Sequence, residues 1–189
     1  MVCNAKRMVN LLFRAFVTRD ANWLVKGFIA FILPIVSYCS SVWSPCLICD
    51  IDEIESVQKL FTMRIPGLQS LSYNKRLISL NLPSLERRRL WADLTLCFKM
   101  LKGFTKFDPV AFGLKLSESV TRGHPLKLIL GHSRINTRKH AFANRVIAPW
   151  NSLPEKCVTV NSVAAFKFCI KKHNLDTFLQ YVDAYTILK

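Results

Sequence analysis

Apolar residues recur at spacings of three and four along most of the chain, which is the repeat of an amphipathic helix. The clearest run begins at Asp50 and has Ile51, Ile54 and Val57 on one face. Asp50 is the expected N-cap of this helix, and Glu53, three residues later, completes a capping-box-like pattern. A Pro-Gly pair after the run predicts its end.

Four acidic residues cluster at the start of this predicted helix: Asp50, Asp52, Glu53 and Glu55. Paired carboxylates can hold a metal or act as acid and base, but negative charge also stabilises the N-terminus of a helix. Because the cluster coincides with the predicted helix start, we prefer the second explanation.

The same apolar spacing predicts further helices over residues 1–20, 72–80, 84–103, 138–150 and from 162 onward. Ser84 and Ser162 are the expected N-caps of two of them. No alternation of apolar and polar residues is long enough to predict a strand. We therefore expect a mainly α fold, a bundle-like set of helices with a basic irregular connector.

Residues 105–137 have no helical or strand period, and glycine and proline interrupt them. The chain is thus expected to contain three segments. These are a helical region over 1–104, the basic connector over 105–137 and a C-terminal helical segment over 138–189.

A segment without charged residues, 27–49, is the main source of ambiguity. Its strongly apolar part, 28–36, is too short to cross a bilayer, and Pro34 lies in its middle. We prefer a buried core helix that is kinked or broken at Pro34. The alternative is a membrane-associated protein anchored by the apolar segment 28–42.

The net charge of +15 and the pI near 9.8 indicate what kind of partner the chain binds and say nothing about its fold. Such an excess of positive charge favours a polyanion, either nucleic acid or an acidic membrane surface. Nucleus or cytoplasm is the expected location, with a membrane as the alternative.

Nine side chains are candidates for contact with nucleic-acid phosphates. Arg87, Arg88 and Arg89 follow Ser84, and three consecutive helical residues span about 200° of the helix circumference. They could form a solvated face, with Arg89 paired to Asp93, or bind phosphate, and the sequence leaves both open. The other candidates lie in or after the connector: Arg122, His124, Lys127, Arg138, Lys139 and Arg145.

The seven cysteines favour no metal or redox site. Cys46 and Cys49 form a C-x-x-C pair, with Cys39 seven residues earlier, but a zinc site needs a fourth ligand at suitable spacing. Four other cysteines have apolar neighbours and are expected to be small buried hydrophobes, in a compartment that keeps thiols reduced: Cys3, Cys39, Cys97 and Cys169.

An ordered series of short motifs runs along the chain. They are Trp-Ser-Pro at 43–45, Ile-Glu-Ser-Val-Gln-Lys at 54–59, Tyr-x-x-Arg-Leu at 73–77, Leu-Pro-Ser-Leu-Glu-x-Arg-Arg at 82–89, Thr-Arg-Gly-His at 121–124 and Trp-Asn-Ser-Leu-Pro at 150–154. In this order they resemble the region that follows the palm in the reverse transcriptases of LINE-type (non-LTR) retrotransposons, of the Jockey-like or a related group.

The resemblance implies a thumb-like, helical C-terminal region of an RNA-directed DNA polymerase, which in such proteins helps to grip template RNA and primed DNA. RNA or DNA backbone and the polymerase palm are then the expected partners. Leu33 stands where the family often has Arg, which puts one possible nucleic-acid contact in doubt.

The polymerase reaction requires a pair of metal-binding aspartates, and this sequence contains no Asp-Asp dipeptide. We therefore expect a non-catalytic fragment, with no catalytic residues, no cofactor and no small-molecule substrate. A thumb without its palm is also expected to expose apolar surface, so an interaction module is a third possibility.

Overall fold

The computed structural model describes residues 1–117, 123–131 and 134–180, apart from the side chains of residues 136 and 137. The fold is mainly α, which confirms the predicted class. The described helices are α1 (Val2–Ala15), α2 (Ala21–Gly27), α3 (Leu33–Ser37), α4 (Ser40–Trp43), α5 (Ile48–Met63), α6 (Tyr73–Ser79), α7 (Leu85–Leu101), α8 (Asn136–Lys139), α9 (Phe142–Asn151), α10 (Glu155–Val158) and α11 (Val163–Lys172).

Two compact units make up the described chain. The first contains residues 1–89 together with Leu179 and Gln180, and the second contains residues 90–178. The boundary between the two units falls inside α7, and the segments 1–104, 105–137 and 138–189 stay a prediction. The sequence could not show this boundary, since α7 is continuous across it.

The first unit is built on the packing of α1 against α5. Val9 and Leu12 of α1 and Val57 and Phe61 of α5 are buried in its hydrophobic core. The ring of Phe28 stacks on that of Phe61 with 4.4 Å between the ring centroids. Burial of these apolar side chains supplies the main driving force for folding of this unit.

The apolar segment forms a helical path with one buried side. After α2, the helix widens into a π-helical turn over Phe28–Ile32 and continues as α3, with Pro34 in its first turn. A widened turn accommodates a proline, which lacks an N–H and crowds the preceding turn. The predicted break at Pro34 is therefore absent, because α3 continues through it. The helical path is interrupted at Cys39, whose φ of 50° is left-handed.

Only one face of this segment is buried. Phe28, Ile32 and Val36 are enclosed, whereas Ile29 and Phe31 are 43% and 56% exposed. The expectation of a buried core helix therefore holds for one face. No helix within residues 1–117, 123–131 and 134–180 is long and apolar enough to cross a bilayer.

The acidic cluster of α5 does not cap that helix. The N-cap position is Leu47, which makes no side-chain cap hydrogen bond, so the prediction for Asp50 is wrong. Asp52 instead pairs with Lys59 at 2.7 Å. Glu55 is fully buried, which a helix-terminus explanation does not predict.

The Glu55 carboxylate joins three helices of the first unit. It accepts hydrogen bonds from the Tyr73 hydroxyl of α6 and from the Leu85 backbone N–H at the start of α7, the latter at 3.1 Å. Burial raises the pKa of Glu55, and these hydrogen bonds with the nearby charge of Arg89 oppose the rise. Glu55 thereby caps α7 from outside that helix.

Two further polar contacts complete the start of α7. Ser84 accepts a hydrogen bond from the Arg87 backbone N–H at 3.2 Å, which confirms Ser84 as its cap. The Gln58 amide of α5 donates to the Pro83 carbonyl at 2.9 Å. Together with Glu55, these contacts fix where α7 begins relative to α5.

The second unit has an aromatic core. Phe166 of α11 stacks on Phe98 of α7, with centroids 4.3 Å apart, and lies 5.9 Å from Trp150 of α9. Ser162 caps α11 by accepting from the Ala165 N–H, as predicted. Apart from the isolated bridge between residues 116 and 128, the described chain contains no β-structure.

The cysteines depart from the sequence expectation. Cys169 is bonded to Cys157 in a disulfide that links α11 to α10, with 5.5 Å between the two Cα atoms. Cys3 and Cys39 are exposed, and only Cys97 is the buried free thiol that was predicted. Burial raises the pKa of Cys97, so its thiol stays protonated.

We expect Glu55→Ala to lower the free energy of unfolding by about 3 kcal/mol, because the buried Leu85 N–H and the partly buried Tyr73 hydroxyl lose their acceptor. Urea denaturation followed by circular dichroism measures the loss. The matched control is Glu53→Ala on the same helix, whose exposed ion pair with Lys6 predicts a loss below about 0.5 kcal/mol. Equal losses in the two variants would contradict the assigned role.

We expect Cys157→Ser to destabilise the second unit by about 3 kcal/mol, the scale of closing a short loop in the unfolded chain. Dithiothreitol should lower the unfolding midpoint of the wild type and leave that of the variant unchanged. Cys46→Ser, which replaces an exposed free thiol, serves as the control. A wild type insensitive to the reductant would rule out a stabilising disulfide.

Candidate nucleic-acid interface

The three consecutive arginines at the start of α7 are not a solvated face. Arg87 is fully buried, Arg89 is 3% exposed and Arg88 is half-buried. Their burial follows from the position of α7, whose first turn is enclosed by the Glu55 contacts. Arg87 and Arg89 are therefore not available on the surface for a phosphate.

Arg145 is engaged inside the second unit. Its Nε and Nη2 atoms donate to the two carboxylate oxygens of Asp93 at 2.8 and 3.3 Å, a bidentate pair. Its Nη1 also donates to the His140 carbonyl at 3.3 Å. The i,i+4 spacing within one helix had favoured Arg89 as the partner of Asp93. The pair with Arg145 joins residues 52 positions apart.

His124 is buried rather than facing solvent in a basic loop. It is 2% exposed, and its ring lies edge-on to that of Trp150 with centroids 6.0 Å apart. Its Nε2 donates to the Trp150 carbonyl at 3.1 Å, which assigns the proton to Nε2 because a carbonyl can only accept. Its Nδ1 atom is buried and makes no hydrogen bond with any residue that the structure describes.

Burial lowers the pKa of His124. The hydrogen bond to the Trp150 carbonyl opposes this effect, the charge of Lys127 adds to it, and Glu155 opposes it. The neutral ring is therefore the form that this site accepts at neutral pH.

Trp150 and Asn151 hold the segment that contains His124. The indole N–H of Trp150 donates to the Leu126 carbonyl at 2.7 Å. Asn151 both accepts from the Leu128 N–H and donates to the Leu128 carbonyl, each at 2.9 Å. The Trp-Asn pair thus satisfies backbone groups of an irregular segment, in addition to the isolated bridge of Leu128 with Leu116.

Exposure separates the remaining candidates. Arg138 and Lys139 of α8 are exposed, and Lys127 is half-buried. Arg122 lies outside the described residues. Of the eight candidates that are described, only Arg138 and Lys139 present an open cation.

A basic face of α11 was missing from the predicted set. Lys167, Lys171 and Lys172 are exposed there, and Phe168 beside them is 62% exposed. The Lys172 Nζ atom lies 4.1 Å from the centroid of the Phe168 ring. Helical spacing indicated that these lysines face outward, but a lysine face is ordinarily only solvated. The exposed phenylalanine among them is the additional signal.

An open pocket of about 360 Å³ lies in the first unit. Its polar lining consists of Asn22, Lys26, Ser79 and Asn81, and none of the eight described candidates lines it. In the part of the chain that the structure describes, no three His, Cys, Asp or Glu side chains come together as a metal site requires.

The buried neutral His124 predicts acid sensitivity. Since its pKa is lower in the folded than in the unfolded chain, stability falls as the pH drops below about 6.5, by at most about 1.4 kcal/mol per pH unit. Urea midpoints between pH 7.5 and 5 measure this slope. We expect His124→Gln to flatten it, and His140→Gln, at an exposed position, to leave it unchanged. Parallel slopes for wild type and His124→Gln would refute the assignment.

Comparison with known proteins gives no match of the chain to a family model, a curated protein or a solved structure.

Proposed function

We propose that this chain is a non-catalytic, basic helical segment of a LINE-type reverse transcriptase that binds RNA or DNA without sequence specificity. Its ligand is the phosphate backbone, and dispersed lysines and arginines supply the attraction. The polymerase palm of an intact element is a further partner under the same proposal.

The charge balance is the observation that carries the nucleic-acid part of the proposal. There are 27 lysines and arginines against 12 acids. Internal pairs such as Arg145 with Asp93 and Lys59 with Asp52 each consume one base and one acid, so they leave the excess of fifteen unchanged. Exposed bases occur on both units, for example Arg14 and Lys26 on the first and Lys139 and Lys167 on the second.

Contacts between separate motifs support the retrotransposon part. Glu55 of one motif bonds to Tyr73 of a second and to Leu85 of a third. His124 of a fourth motif bonds to Trp150 of a fifth. Residues of the motifs that resemble the family thus contact one another in the fold, and the ordered series of motifs carries this part of the proposal.

Association with a membrane surface is the second candidate. It is favoured by exposed apolar side chains on the segment 28–42, which include Phe31 (56%), Tyr38 (77%) and Val42 (84%). Co-sedimentation with anionic and neutral vesicles tests it. Binding to either kind that Phe31→Ser abolishes would support this candidate over the first.

Binding to nucleic acid is expected to weaken steeply with salt. Fluorescence anisotropy with mixed-sequence RNA and DNA oligonucleotides should show at least about a tenfold loss of affinity between 50 and 200 mM salt, as release of counterions from three or more phosphates requires. RNA and DNA of the same sequence should bind within about threefold, because backbone contacts dominate. Salt-insensitive binding, or none to either polymer, would reject the proposal.

A further inference from the structure

We propose that the exposed face of α11, formed by Lys167, Phe168, Lys171 and Lys172, is a binding surface for single-stranded nucleic acid, on which an unpaired base stacks against Phe168. This inference rests on the proposed function and names the surface and the form of its ligand.

The orientation of α11 is fixed by its other side. Phe166 and Ile170 are buried, and Phe166 stacks on Phe98 in the core of the second unit. Cys169 is bonded to Cys157, which attaches the helix to α10 as well. A helix held in this way presents its outer side chains on a rigid support.

The four outer residues lie close together on that support. At 100° per residue, Lys167, Phe168, Lys171 and Lys172 span about 140° of the helix circumference. The helix contains no acidic residue, so three positive charges are concentrated on this face. The potential there favours a polyanion, and lysine is a common phosphate ligand.

Helix stability alone does not explain the composition of this face. Lys171 and Lys172 at the C-terminus suit the helix dipole. That effect fades within the last turn. The Lys172 ammonium, 4.1 Å from the ring centroid, gives Phe168 a weak contact within the helix, and the residue is still 62% exposed. An exposed aromatic ring among lysines is the combination that single-strand binding proteins use, with ammonium groups on phosphates and the ring on a base.

The exposed ring favours a single strand over a duplex. Bases in a duplex are stacked on one another and cannot reach Phe168, whereas an unpaired base has a free face. A membrane surface is a poorer match. One phenylalanine, with Ala164 and Ala165 as its exposed apolar neighbours, offers little area for insertion between lipids.

The test compares two triple variants of the full chain that lose the same charge. One is Lys167→Gln, Lys171→Gln and Lys172→Gln, and the control is Lys75→Gln, Lys106→Gln and Lys115→Gln, all at exposed positions. Anisotropy with a labelled twelve-nucleotide oligo(dT) or oligo(U) strand reports the affinity. We expect at least about a tenfold loss for the α11 variant and at most about threefold for the control.

Phe168→Ala separates stacking from charge. We expect about a tenfold loss of affinity for the single strand, with affinity for a duplex unchanged within about twofold. Phe168→Trp, which keeps a stacking ring, should restore single-strand binding. Circular dichroism of each variant checks that the helices remain folded.

The outcomes distinguish this inference from the proposed function. Equal losses in the two triple variants, or no effect of Phe168→Ala, would overturn the α11 site while leaving non-specific binding intact. No binding by the wild type would overturn both. If Phe168→Ala weakened binding to anionic vesicles and not to oligonucleotides, the face would belong to a membrane surface and the inference would be wrong.

Discussion

The buried carboxylate of Glu55 is the constraint on which the arrangement of the first unit depends. A carboxylate removed from water is costly unless its oxygens accept hydrogen bonds. Here the donors come from Tyr73 and from the backbone of Leu85, on two other helices. The packing of α6 and α7 against α5 brings both donors to the same group. The contact therefore selects a specific packing, which the apolar core alone would define less sharply.

The second unit uses the same principle with different groups. Its irregular segment around residues 124–128 has few backbone partners of its own, and Trp150 and Asn151 provide them. In each unit, side chains that the sequence indicates as candidate phosphate ligands are buried in the interior instead. Arg87, Arg89 and His124 are all buried. Exposed bases lie elsewhere, for example at Arg14 and Lys26 in the first unit and at Lys139 and Lys167 in the second.

Charged side chains in the interior of the units differ in role from those at the surface. Asp93 and Glu55 act inside the units, where they are buried among hydrogen-bond donors. Lysines remain outside because their ammonium groups are strongly hydrated and their long side chains lose entropy when fixed. Exposed lysines and arginines occur on both units of a chain whose net charge is +15.

The sequence alone determined the features that depend on near neighbours. Apolar spacing identified the mainly α class and the long helices, and serine caps at Ser84 and Ser162 were predicted correctly, because each depends on residues within one or two turns. Helix ends that depend on distant groups were not predicted. Asp50 proved not to be a cap, and Glu55 caps a helix 30 residues away.

Tertiary structure alone decided that Arg87, Arg89 and His124 are buried, that Asp93 pairs with Arg145, and that Cys157 lies next to Cys169. A sequence pattern gives the side of a helix on which a residue lies. The free energy of burying a charge depends instead on groups far along the chain, and only the folded chain brings those groups together.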